Sequence, residues 1–170
     1  ACFTIDVLGE EIKSIDESLW FIDEYESVID SIVDSGADAN ISIKPTALGL
    51  LIDEELAFSN IERIVRKAAD NDIFVRLDME DNRVTQATLD AAVSIQNKGL
   101  ENIGVVLQGR LFRTPDDISE MSNLLGNKSD FRICKGIYLE PPEISHTSYI
   151  EIVDATNRAI DLMLDSGSYT

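Results

Sequence analysis

The chain is 170 residues long and 44% hydrophobic, with 32 acidic against 14 basic residues and a formal charge of −18. That length and apolar content suffice for one domain with a real core, and no run of ~18 apolar residues is present to span a membrane. So negative a surface repels phosphate, which excludes a general binder of nucleic acid or anionic lipid; a solubilising face or adaptation to high salt fits the same balance.

In chain order, Phe3–Val7 reads as a first strand, followed by a helix over Ile15–Val33 that stops near Ser35-Gly36. Ile41–Lys44 is a second apolar run. Asp53–Ala69 then opens with acids suited to the positive end of a helix dipole and carries Leu56, Ile61, Ile64, Val65 and Ala68 on one side. Ile73–Leu77 is the third strand, and Thr85–Asn97 the third helix, closing at a basic last turn and a glycine, Lys98-Gly99. Gly104–Gln108 is the fourth strand. Pro115 sits where a first helical turn tolerates it, with Thr114 as its expected cap. Phe131–Cys134 and Ser148–Leu164 complete the series, the last helix stopping at Ser166-Gly167.

Strands thus recur at intervals of roughly 30 residues, the length of a β-α unit, and most are apolar at consecutive positions, as strands covered on both faces are. The pattern predicts an α/β protein with a parallel sheet and right-handed crossovers. It leaves two architectures open: a complete five-stranded doubly wound sheet, or part of a (β/α)8 barrel, which as a whole needs about 250 residues.

Bases are scarce here, so their positions carry information. Lys44, Arg76, Arg110, Arg113, Arg132 and Lys135 all fall in or just after predicted strands, and polar groups at the carboxyl ends of parallel strands mark the active face of such folds. Lys44 can pair with a substrate carboxylate or phosphate, or form a Schiff base if its pKa is lowered. Otherwise it is a lysine snorkelling from a strand end. Asp78 and Glu80 follow the third strand two residues apart and in extended geometry would share a side; the plainer alternative is a polar loop opening a helix. Gln108 offers an amide donor and acceptor to a ring edge.

Glycine-rich dinucleotide and P-loop motifs are absent. The two cysteines, Cys2 and Cys134, read as buried free thiols, His146 as a solvated loop residue, and no metal-ligand spacing is present.

Four segments, in order, resemble the proline dehydrogenase family of monofunctional bacterial and archaeal type. They are Ile41-Ser-Ile-Lys-Pro-Thr-Ala-Leu-Gly-Leu50, Val75-Arg-Leu-Asp-Met-Glu80, Val105-Val-Leu-Gln-Gly-Arg-Leu111 and Arg132-Ile-Cys-Lys-Gly-Ile-Tyr-Leu-Glu140; the opening Thr4-Ile-Asp-Val-Leu-Gly-Glu10 is similar too. The resemblance implies a distorted TIM-like barrel holding FAD at the carboxyl ends of its strands. It implies oxidation of L-proline to 1-pyrroline-5-carboxylate by hydride transfer to the flavin, and reoxidation by a quinone. By motif, Lys44 would bind the proline carboxylate and Tyr138 pack on its ring. Asp78 would hold the substrate network, and Arg132 would sit by the reactive edge of the flavin as a fixed cation. Met79, Gln108, Lys135, Gly136 and Ile137 would line the cofactor, with Gln108 on its pyrimidine edge.

Two departures are local: Gly109-Arg110 stands where the family often has a small residue then tyrosine, and Ile137 where it often has alanine. A larger one is that the chain stops at Ser168-Tyr-Thr170, where the family would begin its sixth strand. The expectation is a fragment, a single partial barrel domain over residues 1–170 with five of eight units. It would bind FAD weakly, have little activity, and tend to self-associate through exposed strand edges. The family's setting is cytoplasmic, with peripheral contact at the inner face of the membrane to reach the quinone. Two other classes remain open: a non-catalytic (βα)5 binding or regulatory module, and another barrel enzyme handling phosphorylated or carboxylate substrates.

Overall fold

The computed structural model describes residues 2–169. Strands β1 (Phe3–Asp6), β2 (Ala39–Ile43), β3 (Val75–Leu77), β4 (Ile103–Gln108) and β5 (Phe131–Cys134) alternate with helices α1 (Ile15–Ser35), α2 (Glu54–Ala69), α3 (Thr85–Gln96), α4 (Thr114–Leu125) and α5 (Tyr149–Ser166). Helix ends follow local chemistry. The Asp53 side chain accepts the Leu56 N–H at 3.0 Å and caps α2, and Gly36 and Gly167 take the left-handed conformation that terminates α1 and α5. Thr114 departs from expectation. It is the first residue of α4, not its cap, and its hydroxyl donates to the Gln108 carbonyl at 2.5 Å, tying the helix to the end of β4.

The sheet runs β1-β2-β3-β4-β5, every neighbouring pair parallel. This sequential order decides between the two architectures. A doubly wound sheet needs a reversal of strand order to place helices on both faces. Without one, right-handed crossovers put every helix on the same face, and the sheet curls into a half-barrel. The doubly wound alternative is therefore set aside.

The near-continuous apolar strands have a different cause from the expected two-sided cover. Ile41, Ile43, Val75, Leu77, Ile103, Val105 and Leu107 join Ile22, Ile29, Ile61, Ile64 and Ile95 from the helices in one core. Apart from Val106, the alternate positions of β2 to β4 are short or polar. Asp6, Ser42, Arg76 and Gly104 stand in register across β1 to β4 on the inner face.

Arg76 fills the lower part of that face. Its guanidinium lies 2.5 Å from an Asp130 carboxylate oxygen, donates to the Asp130 and Val105 carbonyls at 3.0 and 3.4 Å, and covers the Phe74 ring at 4.7 Å. Burial pulls its pKa down, against the opposing Asp130 charge. Gly104 makes the crossing feasible, since a Cβ there would meet the Asp130 carbonyl at 2.6 Å and the Phe74 ring at 2.9 Å. Arg76 is thus a structural ion-pair residue below the mouth.

After β5 the chain folds back across the end of β4. Phe112 N–H donates to Ile144 O at 2.9 Å, His146 N–H to Arg110 O at 2.8 Å, and Leu111 bridges Ser145. His146 is half-buried edge-on against Phe112, centroids 4.7 Å apart, so it is a packed residue and not a solvated one. The two thiols are free, but neither is fully buried: Cys2 precedes the edge strand and is exposed, and Cys134 is half-buried at the end of β5.

Candidate active site

The five strand ends meet in a cleft of about 760 Å³, lined by Glu10, Lys44, Asp78, Met79, Gln108, Arg132, Cys134, Lys135, Gly136, Ile137 and Tyr138. Every residue to which the family resemblance assigns a role is among them, whereas the strand-end candidates Arg76, Glu80, Arg110 and Arg113 are not. Glu10 and Cys134 are added by the fold. The polar residues belong to successive strand ends, which is how a parallel sheet brings distant positions to one mouth.

At its centre Asp78 bridges two cations. Its Oδ2 is 3.1 Å from Lys44 Nζ, and its Oδ1 accepts from Arg132 Nη2 at 3.0 Å. Lys44 also reaches Asp6 Oδ2 at 3.3 Å. Tyr25 of α1 holds Asp6 in turn, its hydroxyl donating to Asp6 Oδ1 at 3.2 Å and to the Ser42 carbonyl at 2.9 Å. Burial works against the Lys44 charge, but the Asp78 and Asp6 carboxylates outweigh it and the pKa is raised. Lys44 therefore stays an ammonium near neutral pH. The Schiff-base option, which needed a lowered pKa, is overturned, and pairing with an anion remains.

Asp78 and Glu80 do not share a side. Glu80 is buried, accepting the Thr46 N–H at 2.9 Å and the Thr46 hydroxyl at 2.5 Å. Thr46 Oγ1 in turn accepts the Glu11 N–H at 2.8 Å, so one carboxylate joins the loops after β1, β2 and β3. Burial pushes the Glu80 carboxyl up despite the two Thr46 hydrogen bonds.

The sign follows from that. With its folded pKa above the unfolded one, Glu80 binds protons more readily in the folded state, so its contribution to stability declines as pH rises from about 4.5 through the folded value. Replacing it by glutamine should flatten that part of the curve. Thermal melts of Glu80→Gln and the parent across pH 4–8 test this. Parallel curves would show that Glu80 does not titrate differently on folding.

Gln108 is 1% exposed. Its Nε2 donates to the Glu80 carbonyl at 2.7 Å, which fixes the amide orientation and leaves Oε1 buried with no hydrogen-bond partner. A buried acceptor left open costs free energy, and this one stands in a cleft, where an N–H donor of a planar ligand would satisfy it. Gly136, at φ 95°, lies directly over it: a Cβ there would come within 2.6 Å of Gln108 Oε1. Such an orphaned acceptor beneath a side-chain-free cradle fits a flavin edge.

Tyr138 closes the mouth, its hydroxyl 3.3 Å from Glu10 Oε2. Burial, then the Glu10 charge, raises its pKa, so the phenol stays protonated. Met79 is buried, whereas Ile137 is 87% exposed at the rim. Burial also raises the pKa of the Cys134 thiol. Sequence reasoning did not assign roles to Glu10, Tyr25, Thr46 and Cys134. For Thr46 and Glu10 the signal lay within the quoted motifs; for Tyr25 none existed, because only the packing of α1 under β1 brings it to Asp6.

The proline dehydrogenase family model matches residues 1–160. Proline dehydrogenase 2 of Bacillus subtilis (strain 168) is 32% identical over 167 residues, covering 98% of this chain and 54% of that protein. The proline dehydrogenase of Deinococcus radiodurans is 31% identical over 170 residues, again with 98% and 54% covered. The chain therefore spans about half the length of the curated relatives it matches. Among solved structures, proline utilization A from Bdellovibrio bacteriovorus, inactivated by N-propargylglycine, superposes with a TM-score of 0.88 at 20% identity, over 96% of this chain and 21% of that one. A Bradyrhizobium japonicum proline utilization A mutant gives 0.83 at 17% identity, over 96% and 20%.

Proposed function

The chain belongs to the proline dehydrogenase family, and from that premise we propose that the protein oxidises L-proline to 1-pyrroline-5-carboxylate, with FAD as hydride acceptor and a quinone as final electron acceptor. The observation that carries this reading is the buried, unpartnered Gln108 Oε1 in the same cleft as the Lys44–Asp78–Arg132 cluster. FAD, when bound, supplies the site that accepts the hydride. The chain's own residues bind and orient. The Lys44 ammonium, held charged by two carboxylates, takes the substrate carboxylate, and Asp78 fixes Lys44 relative to Arg132 so that substrate and cofactor share one geometry. Gln108 would accept from an N–H edge of the cofactor, and Met79, Lys135, Gly136 and Ile137 would form the walls that hold it. Arg132 would offer a fixed positive charge to the cofactor, favouring the more negative reduced form. Tyr138 packs on the substrate ring and, with Glu10, closes the mouth against water.

We assign residues 1–170 to a single partial barrel domain of five β/α units. The outer edges of β1 and β5 carry no further strand among the described residues, so they accept additional strands, from the rest of a barrel or from a second copy. By itself this chain should bind FAD weakly, oxidise little proline and self-associate. Among the described residues no helix is long and apolar enough to cross a membrane; a cytoplasmic protein that meets its quinone peripherally at the inner face of the membrane fits the proposed chemistry.

The test is FAD titration of the protein that carries this chain, read by visible absorbance, with proline-dependent reduction of a dye acceptor measured alongside. Gln108→Leu should raise the Kd for FAD about tenfold, the worth of one buried hydrogen bond. Flavin uptake without proline-dependent reduction would overturn the substrate. Absence of flavin uptake would overturn the cofactor and the reading with it.

A further inference from the structure

Arg110 is a charged residue for which the site described above has no use. It is 7% exposed, and among the described residues no carboxylate lies within ion-pair distance of it. Its Nη1 donates to the Tyr138 carbonyl, and its Nε is buried without a hydrogen-bond partner. The backbone of the same residue donates to Lys135 O at 3.1 Å and accepts from His146 N at 2.8 Å. Its methylenes run beneath Gly136, where a Cβ would sit 2.7 Å from Arg110 Cδ and 2.6 Å from Gln108 Oε1. The Arg110 stem, the open Gln108 acceptor and the bare Gly136 backbone thus converge at one wall of the cleft.

A guanidinium desolvated without a carboxylate is costly, and truncation data on buried charges show how unfavourable an uncompensated one is. A carbonyl dipole at Nη1 offsets part of that cost only. The positive charge left over has no carboxylate at ion-pair distance among the described residues, and a buried charge is screened less than an exposed one. It favours whatever brings negative charge to the Gln108 end of the cleft. Two other cations of the site differ in kind: Arg132 is exposed and paired with Asp78, and Lys44 is paired with Asp78 and Asp6.

We propose that Arg110 is a positioning and electrostatic residue for the redox cofactor, raising its reduction potential by favouring the reduced, more negative form over the oxidised one, and holding the Lys135–Tyr138 wall through the Tyr138 carbonyl. This rests on the flavin reading above. Charge and positioning separate by substitution. Arg110→Lys keeps a cation and a donor, Arg110→Gln keeps an amide donor on a side chain two bonds shorter and loses the charge, and Arg110→Met keeps only the stem.

The experiment is spectroelectrochemical titration of the bound flavin in the protein that carries this chain, with the Kd for FAD measured first on each variant. Arg110→Gln and Arg110→Met should each lower the preference for reduced over oxidised flavin about tenfold, a fall of about 30 mV for a two-electron couple. Arg110→Lys should recover most of it. Arg110→Met, and to a lesser degree Arg110→Gln, should also weaken FAD binding several-fold, through loosening of the wall. Flavin bound with an unchanged potential in Arg110→Gln overturns the electrostatic role and leaves the functional reading standing. A parent protein that takes up no flavin overturns both. If Arg110→Met does not fold, Arg110→Gln still decides the charge term.

Discussion

Asp78→Ala is expected to lower kcat/KM for proline by about 10²–10³-fold, the scale on which a small misplacement of catalytic groups acts. Among the described residues, this carboxylate alone pairs with both Lys44 and Arg132, at 3.1 Å from Lys44 Nζ and 3.0 Å from Arg132 Nη2. Without it, Lys44 would fall back on Asp6 alone at 3.3 Å, drawn toward β1 and away from the substrate, and Arg132, which is largely exposed, would lose its anchor. Stability should change little, because the pairs are partly solvated and such pairs are worth about 0–1 kcal/mol. A drop in kcat/KM with an unchanged Tm is therefore the signature, and Asp78→Asn, which keeps one acceptor, should fall between the two. Steady-state kinetics with a dye acceptor measure it. A change below about threefold would remove Asp78 from the site's working parts.

Gly136→Ala should weaken FAD binding about 100-fold and lower Tm by about 4–8 °C. Two costs combine there. The residue has φ 95°, a conformation costing a side chain about 1–3 kcal/mol, worth roughly 2–4 °C per kcal/mol in a domain of this size. The added Cβ would also meet Gln108 Oε1 at 2.6 Å and the Arg110 stem at 2.7 and 2.9 Å, all three belonging to buried side chains with little room to move. Gly99→Ala is the control. It has φ 87° but nothing within 4 Å of its Cβ, so it should lose stability from backbone strain without losing cofactor. Fluorescence titration of FAD beside thermal melts separates the effects, and equal FAD affinity in Gly136→Ala and the parent would mean that this wall does not shape the cofactor site.

The placement of Glu80 shows where reading a chain in one dimension falls short. Two acids at i and i+2 share a side only while the backbone stays extended, and the chain turns directly after Leu77. Asp78 then faces Lys44, while Glu80 is drawn under the 3-10 turn at Pro45–Leu48, which presents both the N–H and hydroxyl of Thr46. Thr114 is a similar case. The helix begins one residue earlier than the capping pattern implies, so Thr114 lies inside it and its hydroxyl donates to the Gln108 carbonyl. Arg76 has the strand-end look of Lys44 yet sits one inner-face step lower, where Asp130 captures it.

From sequence alone came the five β-α units and their near-correct bounds, because periodicity, caps and glycine stops are local signals. The same signals brought out the strand-end residues, since a cation in an apolar run of an acidic chain is visible without coordinates, and four ordered motifs carry the family. Strand order was beyond reach: a doubly wound sheet and a half-barrel share one local pattern and differ only in which strands pair. Pairing also decided which faces the apolar positions cover, that Asp78 bridges Lys44 and Arg132, and that Gln108 keeps an open acceptor beneath Gly136, with Arg110 beside it held by the Tyr138 carbonyl and its Nε without a partner. Those are relations between residues tens of positions apart, and only the closed geometry of the folded chain determines them.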